Sequence, residues 1–174
     1  MKKFWIALAI IVPMGAIIGA IVWGKSIWDK LSFKPYFISA NLGGLSLTDI
    51  PDIVLSGQER TLNAKLGLEI KNDSSTAIKF CNLKAILSYK GIEIARTSDQ
   101  LAQSCSSIPA NDVLKQEDDI TIKLNRGGAS LLTEKLLGKN PVINYEIDLS
   151  ILGIPVSKIL SLFGMTKKNS FEWK

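Results

Sequence analysis

A run of twenty residues without a charged side chain, from Phe4 to Trp23, constrains this chain more than any other feature of its sequence. An α-helix of that length rises about 30 Å, which matches the hydrocarbon core of a bilayer. Much of the high mean hydropathy of the chain, +0.20, comes from this end. The sequence therefore predicts a single N-terminal transmembrane α-helix that anchors the chain in a membrane.

A cleaved signal peptide is the alternative interpretation of an apolar run at this position. Signal peptides have apolar cores of roughly 7–15 residues, followed by a cleavage site made of small residues. The run in this chain is longer, and Trp23, Gly24 and Lys25 offer no convincing cleavage site. We therefore favour an uncleaved anchor.

Aromatic and basic side chains flank the apolar run on both sides, as they commonly do at the two surfaces of a bilayer. The residues predicted to lie at the membrane interface are Lys2, Lys3, Trp5, Trp23, Lys25 and Trp28. Because lysines stand on both sides in similar numbers, the positive-inside rule discriminates only weakly between the two orientations. A short anchor of this kind slightly favours a cytoplasmic N-terminus and an extracytoplasmic domain, in a bacterial inner membrane or a virion internal membrane.

Small residues recur within the apolar run at a spacing that suits helix packing. Gly15 and Gly19 form a GxxxG pattern, and Ala16 and Ala20 repeat the spacing one residue further on. Small residues so placed let two helix backbones approach closely in lipid. Glycine and alanine are also common in membrane spans that pack against nothing, so the pattern marks a candidate packing surface for a second copy or another protein.

The net charge of +5 is concentrated beside the apolar run. Residues 1–36 hold five lysines and one acidic residue, whereas residues 37–174 hold sixteen basic and fifteen acidic residues. The basic excess therefore suits the anionic headgroups of a membrane surface. The rest of the chain is nearly neutral and has no basic face with interleaved aromatic residues, so nucleic acid is not an expected partner.

Beyond the anchor the sequence changes to a pattern of strands. We assign residues 1–34 to the anchor and a helical or stalk-like continuation, which Lys34-Pro35 ends because a residue before proline disfavours helix, and residues 35–174 to one β domain. The clearest strand, Thr61 to Lys71, alternates apolar and polar residues and so predicts one buried face. Further strands are predicted at 36–42, 77–80, 83–89, 92–97, 119–124, 142–149 and 170–173, with one helix at 129–137 and a polar loop at 98–107. Short strands with frequent turn signals are typical of an antiparallel β-sandwich.

The two cysteines, Cys81 and Cys105, are separated by 24 positions and form no metal-ligand spacing. In an oxidising compartment they are candidates for a disulfide. The other interpretation is one buried strand cysteine and one loop thiol, and spacing alone does not decide between them.

Side chains that usually carry catalysis are scarce. The chain has no histidine, which removes the commonest general base and the commonest metal ligand. No glycine-rich phosphate-binding motif is present. Glu117, Asp118 and Asp119 are better interpreted as a solvated cluster than as a calcium site, because adjacent strand residues point to opposite faces. We predict no catalytic residue, cofactor, metal or small-molecule substrate.

Three consecutive segments resemble one known family. They are LGLEIKNDSS, a long strand that ends in an asparagine turn, the hairpin AILSYKGIEIART, and the stretch from Ile108 through DITIKL and ASLLTEKLL to VINYEIDLSILGIPV. Over about residues 45–156 their order resembles the late embryogenesis abundant type 2 family, also called the water-stress and hypersensitive-response domain. Asp73 stands where that family has the proline of its Asn-Pro-Asn turn. The resemblance implies a fibronectin-like sandwich without catalytic residues, in a family associated with protection under stress.

These features together predict a non-enzymatic, membrane-anchored structural or interaction protein. We expect it to belong to a larger membrane-associated assembly, such as a membrane-containing phage virion or a bacterial envelope complex. The alternative is a stress-protective or lipid-binding envelope protein of the late embryogenesis abundant type 2 kind. The expected partners are the lipid bilayer and other proteins of the assembly, with a homo-oligomer as a further candidate.

Overall fold

Two antiparallel sheets make up most of the chain that the structure describes. The structure, a computed structural model, describes residues 19, 21–42, 46–51, 60–151, 154–155 and 167–174. Its strands are β1 (Leu31–Ala40), β2 (Thr61–Asn72), β3 (Ile78–Tyr89), β4 (Ile92–Arg96), β5 (Cys105–Ile108), β6 (Val113–Lys123), β7 (Val142–Ile151), β8 (Ile154–Pro155) and β9 (Lys168–Glu172). Its helices are α1 (Asp99–Gln103) and α2 (Arg126–Leu136), and residues 21–30 and 49–51 are also helical.

The two sheets differ in how their edges are built. The first has the strand order β1-β2-β6. In the second, β3 and β7 form the centre; β4 and β5 share the far edge of β3, and β8 and β9 share the far edge of β7. The architecture is therefore mainly β and consistent with the predicted β-sandwich, with a few short helices in place of the single helix that the sequence indicated.

The apolar face of β2 shows how the sequence pattern builds the core. The strand runs from Thr61 to Asn72, so the predicted strand at 61–71 is confirmed. Its buried apolar residues are Leu62, Ala64, Leu66, Leu68 and Ile70. Fully burying a leucine or isoleucine side chain contributes about 1.5–3 kcal/mol. The alternation seen in the sequence is therefore the face on which this sheet packs.

The polar face of the first sheet holds one close contact. Tyr36 on β1 lies opposite Gly67 on β2, and its ring covers the glycine. A Cβ atom added to Gly67 would lie 2.4 Å from Cζ of Tyr36, so any side chain there displaces the ring.

Gly67→Ala is therefore expected to lower the free energy of unfolding by about 1 kcal/mol, because the tyrosine ring loses its place on the sheet. In a Tyr36→Ala background the same substitution should have almost no effect, since the ring that the methyl group would displace is then absent. Urea denaturation of the four proteins of this double-mutant cycle measures the difference. Equal losses in the two backgrounds would contradict the prediction.

The start of the β domain differs from the sequence prediction. β1 begins at Leu31, directly after the helical residues 21–30, so the predicted continuation of helix or stalk to Lys34 is wrong. Pro35 lies within β1, where it pairs with Leu68. β1 is an edge strand, so it pairs with another strand on one side only. Edge strands tolerate proline because the backbone N–H groups on the free side donate to no neighbouring strand.

Residues 98–107, predicted as a polar loop, contain α1 and most of β5. Asp118 on β6 explains why this polar segment is ordered: its carboxylate accepts hydrogen bonds from the backbone N–H and the hydroxyl of Ser98, both at 2.6 Å. Ser98 is also the N-cap of α1 and accepts a hydrogen bond from the N–H of Leu101. The residue that orders this segment lies twenty positions further along the chain, so no local sequence pattern predicts the order.

β3 joins two segments that were predicted as separate strands, 77–80 and 83–89. Asn82 adopts a positive φ of 56° between them, and the pairing of β3 with β7 shifts register between Cys81 and Lys84. The interruption is therefore a bulge within one strand. Bulges of this kind bend a strand without ending it.

Candidate interaction site at the junction of the helix and the sandwich

Most of the predicted anchor falls outside the residues that the structure describes. Six residues of the predicted interface and packing surface lie there: Lys2, Lys3, Trp5, Gly15, Ala16 and Ala20. Gly19 is helical and exposed. Among the described residues, no helix combines the length and apolar character needed to cross a membrane. The membrane span and its packing surface therefore stay predictions.

The helical residues 21–30 end inside the β domain. Trp28 is only 2% exposed and belongs to the hydrophobic core, with its ring centroid 5.6 Å from that of Phe33 on β1. Its ring is therefore packed in protein and does not lie free for the headgroup zone that the sequence suggested. Trp23 is 44% exposed, and Lys25 is exposed and paired with Asp29 at 2.7 Å.

Lys167 closes the carboxyl end of this helix. Its ammonium donates hydrogen bonds to the carbonyl oxygen of Trp28 at 2.7 Å and to that of Leu31. The same nitrogen lies 5.5 Å from the centre of the Trp28 ring. The last carbonyls of a helix lack partners within the helix, and a cation there is favourable. Burial lowers the pKa of Lys167, while the charge of Asp29 opposes that shift.

The lowered pKa of Lys167 gives a testable dependence on pH. Because the folded state holds this proton less tightly than the unfolded chain does, stability rises with pH as the pH moves from the folded pKa towards the unfolded one. Relative to Lys167→Met, the wild-type protein should therefore gain thermal stability as the pH rises from neutral towards the ordinary lysine pKa of about 10.4. Melting temperatures of both proteins across that range measure the effect, and parallel curves would contradict it.

Asn72 organises the neighbouring turn. Its side chain is fully buried. Its Nδ2 donates to the carbonyl oxygens of Thr76 and Pro109, both at 2.9 Å, and to that of Ile108 at 3.3 Å. Its Oδ1 accepts from the N–H of Ser74 at 3.0 Å and from the Ser74 hydroxyl at 2.6 Å. One amide thus joins the turn after β2 to the loop between β5 and β6.

The same turn is bonded to the helix. The N–H of Asp73 donates to the carbonyl oxygen of Lys30 at 2.8 Å. The carboxylate of Asp73 pairs with Lys71 at 2.7 Å. Helix, turn and loop are therefore held together by Lys167, Asn72 and this backbone bond. The sequence marked the asparagine turn as a turn, but it carried no signal for Lys167, whose partners lie more than a hundred residues earlier.

A groove separates the helix from the turn. It has a volume of about 630 Å³, and we call it the helix–turn groove. Its helical wall is Trp23, Ser26, Ile27 and Lys30. These positions follow one another at the spacing that places side chains on one face of a helix. Residues 73–79 and Asn111 form the rest of the lining together with Ile151.

Cys81 and Cys105 are joined by a disulfide. They lie opposite each other on β3 and β5, with Cα atoms 4.0 Å apart, so the pairing of the strands brings the thiols together. Cys105 is exposed and Cys81 is half-buried. The bond attaches a four-residue edge strand to the central strand of its sheet. The sequence alone left this pairing open.

One pair in the described residues has the residue types of a nucleophile and its base. Nζ of Lys90 lies 3.0 Å from Oγ of Ser130, but it also lies 3.0 Å from Oε1 of Glu134. The hydrogen bond to Glu134 raises the pKa of Lys90, which keeps the amine protonated. A protonated lysine cannot take a proton from serine. The contact instead holds the β3–β4 turn against α2.

Two residues of the predicted acidic cluster, Glu117 and Asp118, have different partners. Glu117 pairs with Lys65 at 3.2 Å on the outer face of the first sheet, whereas Asp118 points to the opposite face and binds Ser98. Within the described ranges, no three potential metal ligands lie close enough to hold a metal ion.

Comparison with known proteins gives low similarities. No protein-family model matches the chain, and no curated protein matches its sequence. A FixG-related protein from Vibrio parahaemolyticus is 8% identical, with 83% of this chain and 94% of that chain covered and a TM-score of 0.34. A protein from Archaeoglobus fulgidus is 10% identical, with 81% and 90% covered and a TM-score of 0.35.

A late embryogenesis abundant protein is 13% identical, with 92% of this chain and 84% of that chain covered and a TM-score of 0.25. The similarity is weak and does not confirm the family resemblance. None of the three similarities carries an argument about function, which therefore depends on the residues of this chain.

Proposed function

We propose that this chain is a non-enzymatic, membrane-anchored structural or interaction protein whose fibronectin-like domain, of the late embryogenesis abundant type 2 kind, is a fixed part of a larger membrane-associated assembly. The observation that carries the proposal is the attachment of the helical residues 21–30 to the sandwich. The first three of these residues, 21–23, are the end of the apolar run in the sequence. Trp28 buries its ring in the domain and Lys167 binds the end of the helix.

A fixed junction has a mechanical consequence. A flexible linker would let the domain sample many orientations above a membrane. Here the helix passes into β1 without an intervening loop, and Asp73 bonds to Lys30 across the junction. The direction of the helix therefore sets the direction of the domain. Such a connection suits a protein that presents one surface of its domain to neighbouring proteins at a constant height above the membrane.

Membrane extraction tests the anchor. The full chain, expressed in bacteria, should stay in the membrane fraction after washing at alkaline pH and should dissolve only in detergent. A matched chain without residues 4–20 should be released by the same wash. Release of the full chain would refute the membrane anchor.

Co-purification in mild detergent from the native source tests the assembly. We expect the chain to elute with fixed partner proteins or as a homo-oligomer. A monomer without partners would overturn the assembly and favour the solitary, stress-protective alternative. Exchange of Gly15 and Gly19 for isoleucine should weaken any oligomer that uses the predicted packing surface.

The disulfide allows the side of the membrane to be measured. We propose an extracytoplasmic domain, because disulfides persist in oxidising compartments. Alkylation of intact cells followed by reduction and a second label should then show Cys81 and Cys105 protected until reduction. Labelling before reduction would place the domain in a reducing compartment. Cys105→Ser supplies the matched control, since it leaves Cys81 unpaired and open to the first label.

A further inference from the structure

We propose that the helix–turn groove binds the headgroup of an anionic phospholipid, so that the domain is seated on charged lipid beside its anchor. The inference depends on the membrane anchor proposed above. Neither the sequence nor the packing of the core requires a ligand in this groove, so the inference assigns one to it.

The position of the groove is the first argument. Its helical wall runs from Trp23, the last residue of the apolar run, to Lys30. Seven residues of helix rise about 10 Å. The headgroup region of each leaflet is about 5–7 Å deep, and a lysine side chain can extend back to it. A groove along this stretch of helix therefore opens at the level of lipid phosphates.

The chemistry of the lining is the second argument. Two exposed lysines are in the lining, Lys30 from the helix and Lys79 from β3. The acidic residue in the lining, Asp73, is paired with Lys71 outside it. Exposed lysines beside a membrane attract anionic lipids by about 1 kcal/mol each. Because Asp73 is paired with Lys71, the positive charges of Lys30 and Lys79 favour the binding of a phosphate in the groove.

The mixed character of the lining distinguishes a lipid from a free anion. Trp23 and Ile27 lie on the same helical face as Lys30. Both precede Lys30 in the sequence and are therefore nearer to the predicted membrane span. Three residues with hydroxyl side chains, Ser26, Ser75 and Thr76, are also in the lining. The hydroxyls and lysines suit a phosphate and its glycerol, and the apolar side chains suit the start of the acyl chains. The volume of about 630 Å³ is within the usual range for a bound small group.

Lipid retention by the purified full chain tests the inference. The protein in non-ionic detergent would be mixed with phosphatidylglycerol or phosphatidylcholine, and bound lipid counted by native mass spectrometry. We expect a preference of about tenfold for phosphatidylglycerol. Lys30→Gln with Lys79→Gln should abolish it. The matched control, Lys84→Gln with Lys139→Gln, removes the same charge from exposed positions outside the groove and should retain it.

The possible results of these experiments distinguish failure of the lipid site from failure of the membrane anchor. An absent preference in the wild-type protein, or a preference that survives Lys30→Gln with Lys79→Gln, overturns the lipid site. Displacement of the lipid by an excess of inorganic phosphate would identify a site for a soluble anion and also overturn it. Release of the full chain by the alkaline wash refutes the anchor itself. A chain that stays in the membrane but shows no lipid preference refutes only this inference.

Discussion

Replacing Asn72 with aspartate is expected to lower the free energy of unfolding by about 3 kcal/mol at neutral pH. The new carboxylate oxygen would face three backbone carbonyl oxygens, those of Thr76, Ile108 and Pro109, which now receive hydrogen bonds from Nδ2. A carboxylate supplies no donor, and its charge is repelled by those oxygens. Urea denaturation of the full chain in mild detergent, followed by circular dichroism, measures the loss.

The loss caused by Asn72→Asp should depend on pH. The neutral form of the introduced carboxyl group can donate a hydrogen bond, so the folded variant should hold that proton more tightly than its unfolded chain does. The stabilisation by the proton is present below the unfolded pKa and disappears as the pH rises through the folded pKa. The deficit should therefore be smaller near pH 5 than near pH 8.

Asn63→Asp is the matched control for this experiment. Asn63 lies on the same strand, on the face exposed to solvent. Its substitution should change the free energy of unfolding by less than about 0.5 kcal/mol. Equal losses at positions 63 and 72 would show that the hydrogen bonds of Asn72 do not hold the turn.

Replacing Trp28 with alanine is expected to lower the free energy of unfolding by about 3–4 kcal/mol. The substitution removes a buried indole that packs on Phe33, and it leaves a cavity where the helix meets β1. It also removes the ring over which the ammonium of Lys167 lies. Urea denaturation measures the loss. Hydrogen exchange of residues 21–30 should become faster, because the helix loses its attachment to the core.

Trp23→Ala separates this effect from a general effect of tryptophan in the helix. Trp23 lies five residues earlier and is 44% exposed. Its substitution should leave the free energy of unfolding within about 0.5 kcal/mol of the wild-type value. If both variants unfold alike, the helix is not fixed to the sandwich and the junction is not rigid.

The predictions from sequence were most accurate where a side-chain period was long and regular. β2 was predicted to within one residue, because ten alternating positions leave little freedom in where the buried face lies. β4 and β7 were also recognised from their alternation and turns. The predicted helix at 129–137 is α2 at Arg126–Leu136; it begins earlier because the side chain of Asn125 caps it by accepting from the N–H of Gly128.

The predictions failed where order depends on distant partners. α1 and β5 were assigned to a loop, since the polar residues there carry no period and Asp118 lies twenty positions away. The burial of Trp28 in the core was also not predicted, because tryptophan near the end of an apolar run usually lies at the membrane interface. Its burial depends on Phe33, whose position is set by the pairing of β1 with β2.

The apolar run from Phe4 to Trp23 follows from the order of the residues alone, and the absence of histidine follows from composition alone. Hydrophobic length, a regular side-chain period and residue type need no fold to be recognised, so the sequence by itself determines the predicted anchor, the alternation of β2 and the lack of histidine chemistry. The attachment of the helix, the bonds of Asn72 and Lys167, and the helix–turn groove were decided only by the tertiary structure. Each depends on contacts between residues far apart in the chain, and such contacts exist only after the sheets have paired.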